Sequence, residues 1–360
     1  MPPVLVAVAI DLDAPLASIV QAAGVYFLAY GLTQPLWGLV SDSLGRVRTM
    51  RLTLLVAGLA AVAAAFAWSP LTLGLARGVG GAFVGAAYPA SLIYVGDTVP
   101  AARRQRDVTR LMVGVAVGTA LASVGAGLVA HLFTWRAAFV ATGGAALIMA
   151  VALRALPEPP RVRDAATPLA PLLQVVRSRT SVFVLLMAFL EGAVLLGVLT
   201  LLPAAVEHAG ATASLAGAVT AIYGIAVFAA AALVGRLSRH QHPARLIGLG
   251  ASSALLACVV LTLSRAPLVA VVVTLLLGLA WASMHSSLQT WATEVLPSAR
   301  AAVVSLFAGA LYCGSALAAL LVSGLVDDGR YRAIFLAAAA VAVPLGGLAV
   351  WGRARWRRPA

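Results

Sequence analysis

Long apolar runs alternate with short charged or Pro/Gly-rich stretches along almost the whole chain. Each run is about 20 residues long, which is the length at which an α-helix crosses the hydrocarbon core of a bilayer. Backbone groups in hydrocarbon must be satisfied within their own segment, so each run is predicted to be a helix. The pattern predicts 11 full spans, at residues 17–41, 52–68, 70–96, 111–131, 137–155, 181–205, 213–235, 246–264, 267–291, 301–326 and 333–352.

The pattern occurs twice, because polar and turn-forming residues recur at one offset. Gly38 and Gly235 are 197 residues apart, and with one residue of slippage the stretch 135–139 corresponds to 331–335. Apolar composition alone aligns Ala and Leu at many offsets, but it does not repeatedly align charged and turn-forming residues at one. The chain is therefore predicted to be an internal duplication of a membrane unit.

The duplication predicts one more helix ahead of the span at 17–41, of which only Pro3 to Ile10 remain. This stretch is too short to cross a bilayer as a helix, and it lacks the basic n-region of a signal peptide. We expect either a start codon upstream or a lost helix, and favour the former. The predicted fold is an all-α integral membrane protein with two pseudo-symmetric six-helix bundles, 1–155 and 181–360, joined by a cytoplasmic linker, 156–180.

Composition and charge agree with a membrane protein. Hydrophobic residues make up 62% of the chain and charged residues 10%, which is more apolar surface than a water-soluble core can bury. The formal net charge is +13, and all basic residues are arginines. If residues 42–51 are cytoplasmic, so are all arginines except Arg77, within a span, and Arg136, Arg265, Arg330 and Arg332, outside.

This asymmetry follows the positive-inside rule and puts the carboxyl terminus in the cytoplasm. The arginines are distributed loop by loop, whereas nucleic-acid binding needs a basic face on a folded surface. The predicted surroundings are therefore a lipid bilayer, and no nucleic-acid partner is expected.

The loop after the span at 17–41 carries a specific motif. Residues 38–48 read Gly-Leu-Val-Ser-Asp-Ser-Leu-Gly-Arg-Val-Arg, in which Gly38 and Gly45 allow close backbone approach and a tight turn. Asp42 precedes Arg46 by four residues, so both can face one neighbour. This stretch resembles the loop signature between helices 2 and 3 of the major facilitator superfamily. The stretch 77–81 resembles that superfamily's helix 4 signature.

The resemblance implies the major facilitator fold. It also implies that Asp42 faces the positive N-terminal end of the helix beginning near Arg300, and that Arg46 pairs with Asp97. We therefore predict an inner-gate latch formed by Gly38, Asp42, Gly45, Arg46, Asp97 and Arg103. The alternative is that these charges only anchor the loops at the lipid headgroups.

Polar residues inside the spans are candidates for substrate binding and ion coupling. Arg77 lies well inside its span, and an intramembrane charge is by default a functional candidate. Glu191 lies near the middle of the span at 181–205, where a carboxylate can take up and release a proton. The structural alternative is a protonated or hydrogen-bonded Glu on a helix interface. Tyr26, Tyr30 and Gln34 form a further stripe that lines a cavity or, alternatively, only packs.

Two polar faces are predicted to look at each other across the central pathway. Tyr88 follows Arg77 at a distance that places both on one face of a regular helix. Trp281, His285 and Gln289, spaced by four, form the equivalent face in the second half. His285 is either a proton carrier or a hydrogen-bonded cavity residue.

These features predict a secondary active transporter that moves a small organic solute by alternating access. Proton-coupled efflux is the expected mode, although Thr119 stands where the superfamily's antiporter signature has proline. The alternatives are an uptake symporter and a non-transporting or defective protein of the same fold. No phosphate-binding loop, metal-ligand cluster or nucleophile with its base is found, so neither an enzyme nor a cofactor is expected. We expect a monomer in a bacterial inner membrane.

Overall fold

A computed structural model describes residues 2–159 and 170–357, except the side chains of 39, 42, 101, 102, 104, 105, 109, 112 and 116. Within these ranges the chain is helical and has no strand. Eleven helices are long and apolar enough to cross a membrane, which confirms the number of spans predicted from the sequence. The remnant of the first helix is also present, as a short apolar helix over Pro2–Asp11.

The first bundle contains six helices. They are α1 (Leu5–Asp11), α2 (Leu16–Leu44), α3 (Arg46–Ala65), α4 (Pro70–Thr98), α5 (Ala101–Leu132) and α6 (Trp135–Ala152). Helix α4 begins with a capping box in which Ser69 and Thr72 satisfy each other's backbone N–H groups, followed by Pro70 at the first turn.

A short helix, α7 (Ala170–Arg177), precedes the second bundle. Residues 160–169 of the predicted linker lie outside the described part of the chain. The second bundle contains α8 (Arg179–His208), α9 (Ala213–Leu237), α10 (Pro243–Leu263), α11 (Pro267–Glu294), α12 (Arg300–Asp327) and α13 (Tyr331–Arg355).

The helix starts reproduce the duplication read from the sequence. Helices α2 and α9 begin at Leu16 and Ala213, and α4 and α11 begin at Pro70 and Pro267, so each pair is offset by 197 residues. The two bundles meet through α2 against α12 and α5 against α9. These two contacts border the space between the bundles, where a transported molecule has to pass.

Candidate functional site

The two bundles are closed against each other at one end of the molecule. Near the start of α2, the Ala17 N–H donates to Asp327 Oδ1 at 2.7 Å, and Gln21 Nε2 donates to Ser323 Oγ at 3.1 Å. Further along α2, a Cβ on Gly31 would lie 2.7 Å from the Gly309 carbonyl oxygen of α12. Glycine at this position therefore permits a backbone-to-backbone contact that no other residue allows.

Helices α5 and α9 close the same end in the same way. A Cβ on Gly127 would lie 2.9 Å from the Ala213 carbonyl oxygen, and a Cβ on Gly217 would lie 3.0 Å from the Ser123 carbonyl oxygen. Small residues thus let both pairs of helices pack closely.

The helices are not closely packed at the opposite end, which carries the Arg46 loop. No heavy atom of the described residues lies within 4 Å of the Cβ position at Gly38, Gly114, Gly118 or Gly235. Gly38 therefore makes no close backbone contact in this conformation. The glycine of α5 that packs against the other bundle is Gly127.

Glu191 and His285 form a buried pair in the middle of the second bundle. Glu191 Oε2 lies 3.2 Å from His285 Nδ1, and Glu191 is fully buried while His285 is 8% exposed. Glu191 Oε1 has no hydrogen-bond partner among the described residues. The His285 ring also stacks on Trp281, with ring centroids 3.9 Å apart. The sequence analysis identified Glu191, His285 and Trp281 as candidates, and in the structure the three side chains are in contact.

Both members of the pair border a π-helical turn, one over Gly192–Leu196 in α8 and the other over Trp281–His285 in α11. A π turn inserts an extra residue into a helix and is frequent at functional sites. It also ends the regular spacing of the predicted stripe, and Gln289, beyond the turn, is exposed. Gln289 therefore does not join the cluster around His285.

An aromatic cluster joins the two bundles. Tyr30 of α2 and Tyr312 of α12 have ring centroids 4.0 Å apart, and Phe27 stacks on Tyr312 at 6.0 Å. Tyr26 extends the cluster on the α2 side, with its centroid 6.3 Å from that of Tyr30. Tyr312 is a member that the sequence did not single out. A lone Tyr in a helix otherwise rich in Ala, Gly and Leu is the only signal for it.

Arg77 lies at the edge of this cluster, inside the first bundle. Its guanidinium carbon lies 3.9 Å from the centroid of the Tyr26 ring and 5.5 Å from that of Phe139. Its Nε is buried and has no hydrogen-bond partner, and no described carboxylate forms an ion pair with it. Arg77 is thus a buried cation that aromatic faces stabilise and no acid neutralises.

Helix α4 breaks at Gly85 and Ala86, beside the middle of α2. Pro89 has no N–H to give to the carbonyl four residues earlier, and Gln34 Nε2 donates to that Gly85 carbonyl at 3.0 Å. Gly85 and Ala86 keep right-handed helical φ and ψ values, so the common face of Arg77 and Tyr88 stays a prediction.

The Arg46 loop contains the ion pair that the resemblance implied. Arg46 Nε lies 3.3 Å from Asp97 Oδ2, and Arg46 Nη1 donates to Ser41 Oγ at 3.0 Å. The Asp42 side chain lies outside the described part of the structure. Arg103 is exposed and forms no ion pair with a described side chain. A gating role for this loop stays a prediction.

Glu158 contacts this loop from the segment just after the first bundle, and the sequence analysis did not identify it. Its two carboxylate oxygens accept the N–H groups of Val47 and Arg48, at 3.1 and 3.0 Å, in the first turn of α3. Gly45 has a φ of +105°, and a Cβ there would lie 2.7 Å from the Glu158 carboxylate. Glu158 therefore caps α3 from the start of the linker. The one signal for it was an acid between two prolines directly after a span.

Two repeated bundles around buried polar residues, closely packed at one end but not at the other, define a polytopic membrane transporter of the alternating-access class. The chain belongs to the Major Facilitator Superfamily, whose family model matches residues 1–313. No curated protein matches the chain in sequence.

Solved structures with the same fold are transporters. A variant of the nucleoside transporter NupG has a TM-score of 0.82 at 14% identity, covering 98% of this chain and 94% of that one. The D-xylose-proton symporter has a TM-score of 0.74 at 17% identity, covering 91% and 87%.

A bacterial homologue of the human lysosomal transporter Spinster, in an inward-facing and unoccupied conformation, has a TM-score of 0.68 at 17% identity, covering 99% and 98%. At these identities the likeness shows the fold. Family and fold together indicate a multi-pass transporter of a small molecule rather than an enzyme.

Proposed function

We propose that this protein is a proton-coupled secondary transporter of a small organic solute and that Glu191 and His285 together carry the proton. The observation that supports this most is their 3.2 Å contact in the buried centre of the second bundle. A buried carboxylate is tolerated in a membrane only when it is protonated or paired. Without the transported proton, the Glu191 carboxylate accepts a hydrogen bond from the Nδ1–H of neutral His285. After one proton is taken up, the same contact becomes an ion pair between the carboxylate and the imidazolium, so the pair is satisfied both before and after it loads a proton.

The arginine distribution indicates how the molecule is oriented in the membrane. It assigns the Arg46 loop to the cytoplasm, so the conformation described here is inward-facing. In the outward-facing conformation the Arg46 end closes and the contacts of Ala17 with Asp327 and of Gly31 with Gly309 separate. Arg46 and Asp97, with Asp42, Arg103, Gly38 and Gly45, then form the inner latch.

The solute binds beside the aromatic cluster in this proposal. The unneutralised Arg77 attracts an anionic or strongly polar group of the solute, and Tyr26, Tyr30, Tyr88 and Trp281 supply aromatic faces and hydroxyls. Gln34 also has a structural role, because its side-chain amide donates to the Gly85 carbonyl at the break in α4.

Efflux is the direction that the resemblance implies, and uptake by symport is the alternative. Both directions use the same pair, Glu191 and His285. They differ in the side of the membrane on which an imposed pH gradient concentrates the solute. Antiport concentrates the solute on the acidic side of the membrane, whereas symport concentrates it on the alkaline side.

The test uses proteoliposomes loaded with the pH-sensitive dye pyranine and a panel of nucleosides, pentoses and aromatic carboxylates. We expect at least one panel compound to change the internal pH with the natural protein, and Glu191→Gln to abolish that change. Solute exchange without net proton movement should persist in the variant, because the solute site is intact.

Asp328→Asn is the control, since Asp328 is an exposed carboxylate of the same bundle that forms no ion pair with a described residue. It should behave as the natural protein does. Solute-driven proton movement that persists in Glu191→Gln, or solute transport by the natural protein without proton movement, would overturn the proposal.

A further inference from the structure

A second cavity, apart from the space between the bundles, lies where the N-terminus of α8 meets the C-terminal end of α13. Its volume is about 390 Å³. It is lined by arginines and aromatic rings and by no acidic residue: Arg179, Arg355, Arg357, Trp291, Trp351 and Trp356. Neither the proton pair nor the aromatic cluster touches it. Its composition therefore needs an explanation of its own.

The positive charge of this cavity is not neutralised by the protein. The one described ion pair nearby joins Arg353 to Glu294, at 3.0 Å, and that arginine does not line the cavity. Among the described residues no carboxylate lies in ion-pair distance of Arg179, Arg355 or Arg357. The first turn of α8, with Arg179 and Thr180, adds the partial positive charge of a helix N-terminus. The cavity thus favours an anion.

An exposed apolar strip leads from the cavity along the two helices towards the middle of the membrane. On α8 it contains Val182 and Leu186, spaced from Arg179 so that they lie on its face, and on α13 it contains Leu348 and Trp351. Each of these side chains is exposed in the structure. Arg355 also stacks on the Trp351 ring, with its guanidinium carbon 4.9 Å from the ring centroid. Tryptophan and arginine in this arrangement are typical of the headgroup level of a membrane.

We propose that this cavity binds the headgroup phosphate of an anionic phospholipid, with the acyl chains lying along the apolar strip. The guanidinium groups of Arg179 and Arg355 bind the phosphate oxygens, because the planar fork of arginine matches phosphate geometry. A basic pocket between helix ends at the cytoplasmic surface is a known form of anionic lipid site. The inference does not depend on the transport proposal.

The test measures lipid binding to delipidated, detergent-solubilised protein by native mass spectrometry. The probes are phosphatidylglycerol, phosphatidylcholine with the same acyl chains, and glycerol phosphate as a soluble source of the same headgroup chemistry. We expect phosphatidylglycerol to bind at least about tenfold more tightly than phosphatidylcholine. Each arginine contributes about fivefold to anionic lipid binding, so Arg179→Gln with Arg355→Gln should weaken it about 25-fold.

A control variant keeps the result interpretable. Arg236→Gln with Arg239→Gln removes two exposed arginines, one in the last turn of α9 and one directly after this helix, at the same end of the molecule, and should leave binding unchanged. Melting temperatures without lipid check that each variant is folded.

Three results would overturn the proposal. The first is natural-level phosphatidylglycerol binding by the variant that lacks Arg179 and Arg355. The second is equal weakening by the Arg236 and Arg239 control, which would mean that only the overall charge matters. The third is displacement of phosphatidylglycerol by an equal concentration of glycerol phosphate, which would assign the site to a soluble phosphate ester.

Discussion

The contact between Gly31 and Gly309 holds the two bundles together, and adding one methyl group at position 31 tests it. An alanine at position 31 would place its Cβ 2.7 Å from the Gly309 carbonyl oxygen, 2.9 Å from Cys313 Sγ and 3.1 Å from the Cys313 backbone nitrogen. Two of these three atoms belong to the backbone of α12 and cannot rotate away. The helices α2 and α12 must therefore separate for the methyl group to fit.

The energetic cost of such overpacking is about 1–3 kcal/mol. It falls on the conformation in which α2 and α12 pack together at Gly31 and Gly309, since these helices belong to different bundles and are proposed to part there in the other conformation. A bias of about 1–3 kcal/mol corresponds to about 5- to 150-fold in the ratio of the two conformations. Gly31→Ala is thus predicted to shift the protein from the conformation described here towards the outward-open one.

The measurement is hydrogen–deuterium exchange of the peptides of α2 and α12 that contain Gly31 and Gly309. Exchange should be at least about fivefold faster in Gly31→Ala. Gly324→Ala is the control, because Gly324 lies in α12 with no heavy atom of the described residues within 4 Å of its Cβ position. Both substitutions gain the same helix propensity, about 1 kcal/mol.

Two outcomes would refute this account of the closed end. One is unchanged exchange in Gly31→Ala, which would mean that the helix pair absorbs the methyl group without separating. The other is the same acceleration in both variants, which would trace the effect to helix propensity. A lower melting temperature in Gly31→Ala alone would place the cost on folding rather than on the conformational equilibrium.

Two further predictions concern ion pairs and caps outside the spans. Glu158→Ala should lower the free energy of unfolding by about 1–2 kcal/mol, because it removes the acceptor of two N–H groups at the start of α3. Thermal melting measures this, with the half-exposed Asp107→Asn as control. Arg136 donates a hydrogen bond to Asp11, and this bond holds the pKa of that carboxyl below its ordinary value of 3.8. The pair therefore stabilises the fold above about pH 4, by under about 1 kcal/mol since it is exposed, and the contribution is lost as the pH falls through the lowered pKa. Melting temperatures of the natural protein and Asp11→Asn should differ at neutral pH and converge in acid; a difference that persists in acid would contradict the pairing.

The helices were predictable from sequence because a membrane helix is specified within its own residues. Length, apolarity and backbone satisfaction act locally, so all the spans were found, and the repeat gave their correspondence. The pairing of Arg46 with Asp97 came from resemblance, not from spacing, because it joins helices α3 and α4 across a contact that sequence distance does not encode.

The interior of the site was less predictable, because it depends on departures from regular helices. The break at Gly85 and Ala86 interrupts the hydrogen-bond pattern of α4 between Arg77 and Tyr88, and the π turn that ends at His285 leaves Gln289 out of the cluster. Helical periodicity assumes that no such irregularity intervenes. Pro89 was a local signal for the first of these, whereas the second has none in the sequence.

Glu191, which is proposed to carry the proton with His285, is adjacent to a residue that packs tightly against α12, the helix that forms part of the bundle interface. Gly192, next to Glu191, packs against the Leu311 carbonyl of α12 so closely that a Cβ would overlap it. The following residue, Tyr312, stacks against Tyr30 of α2, in the other bundle. A change of the Glu191 and His285 contact that moves the π turn at Gly192 therefore acts on α12 at the point where this helix meets α2. Backbone contacts without side-chain slack transmit small shifts, and this is a physical route by which protonation in one bundle biases how the two bundles meet.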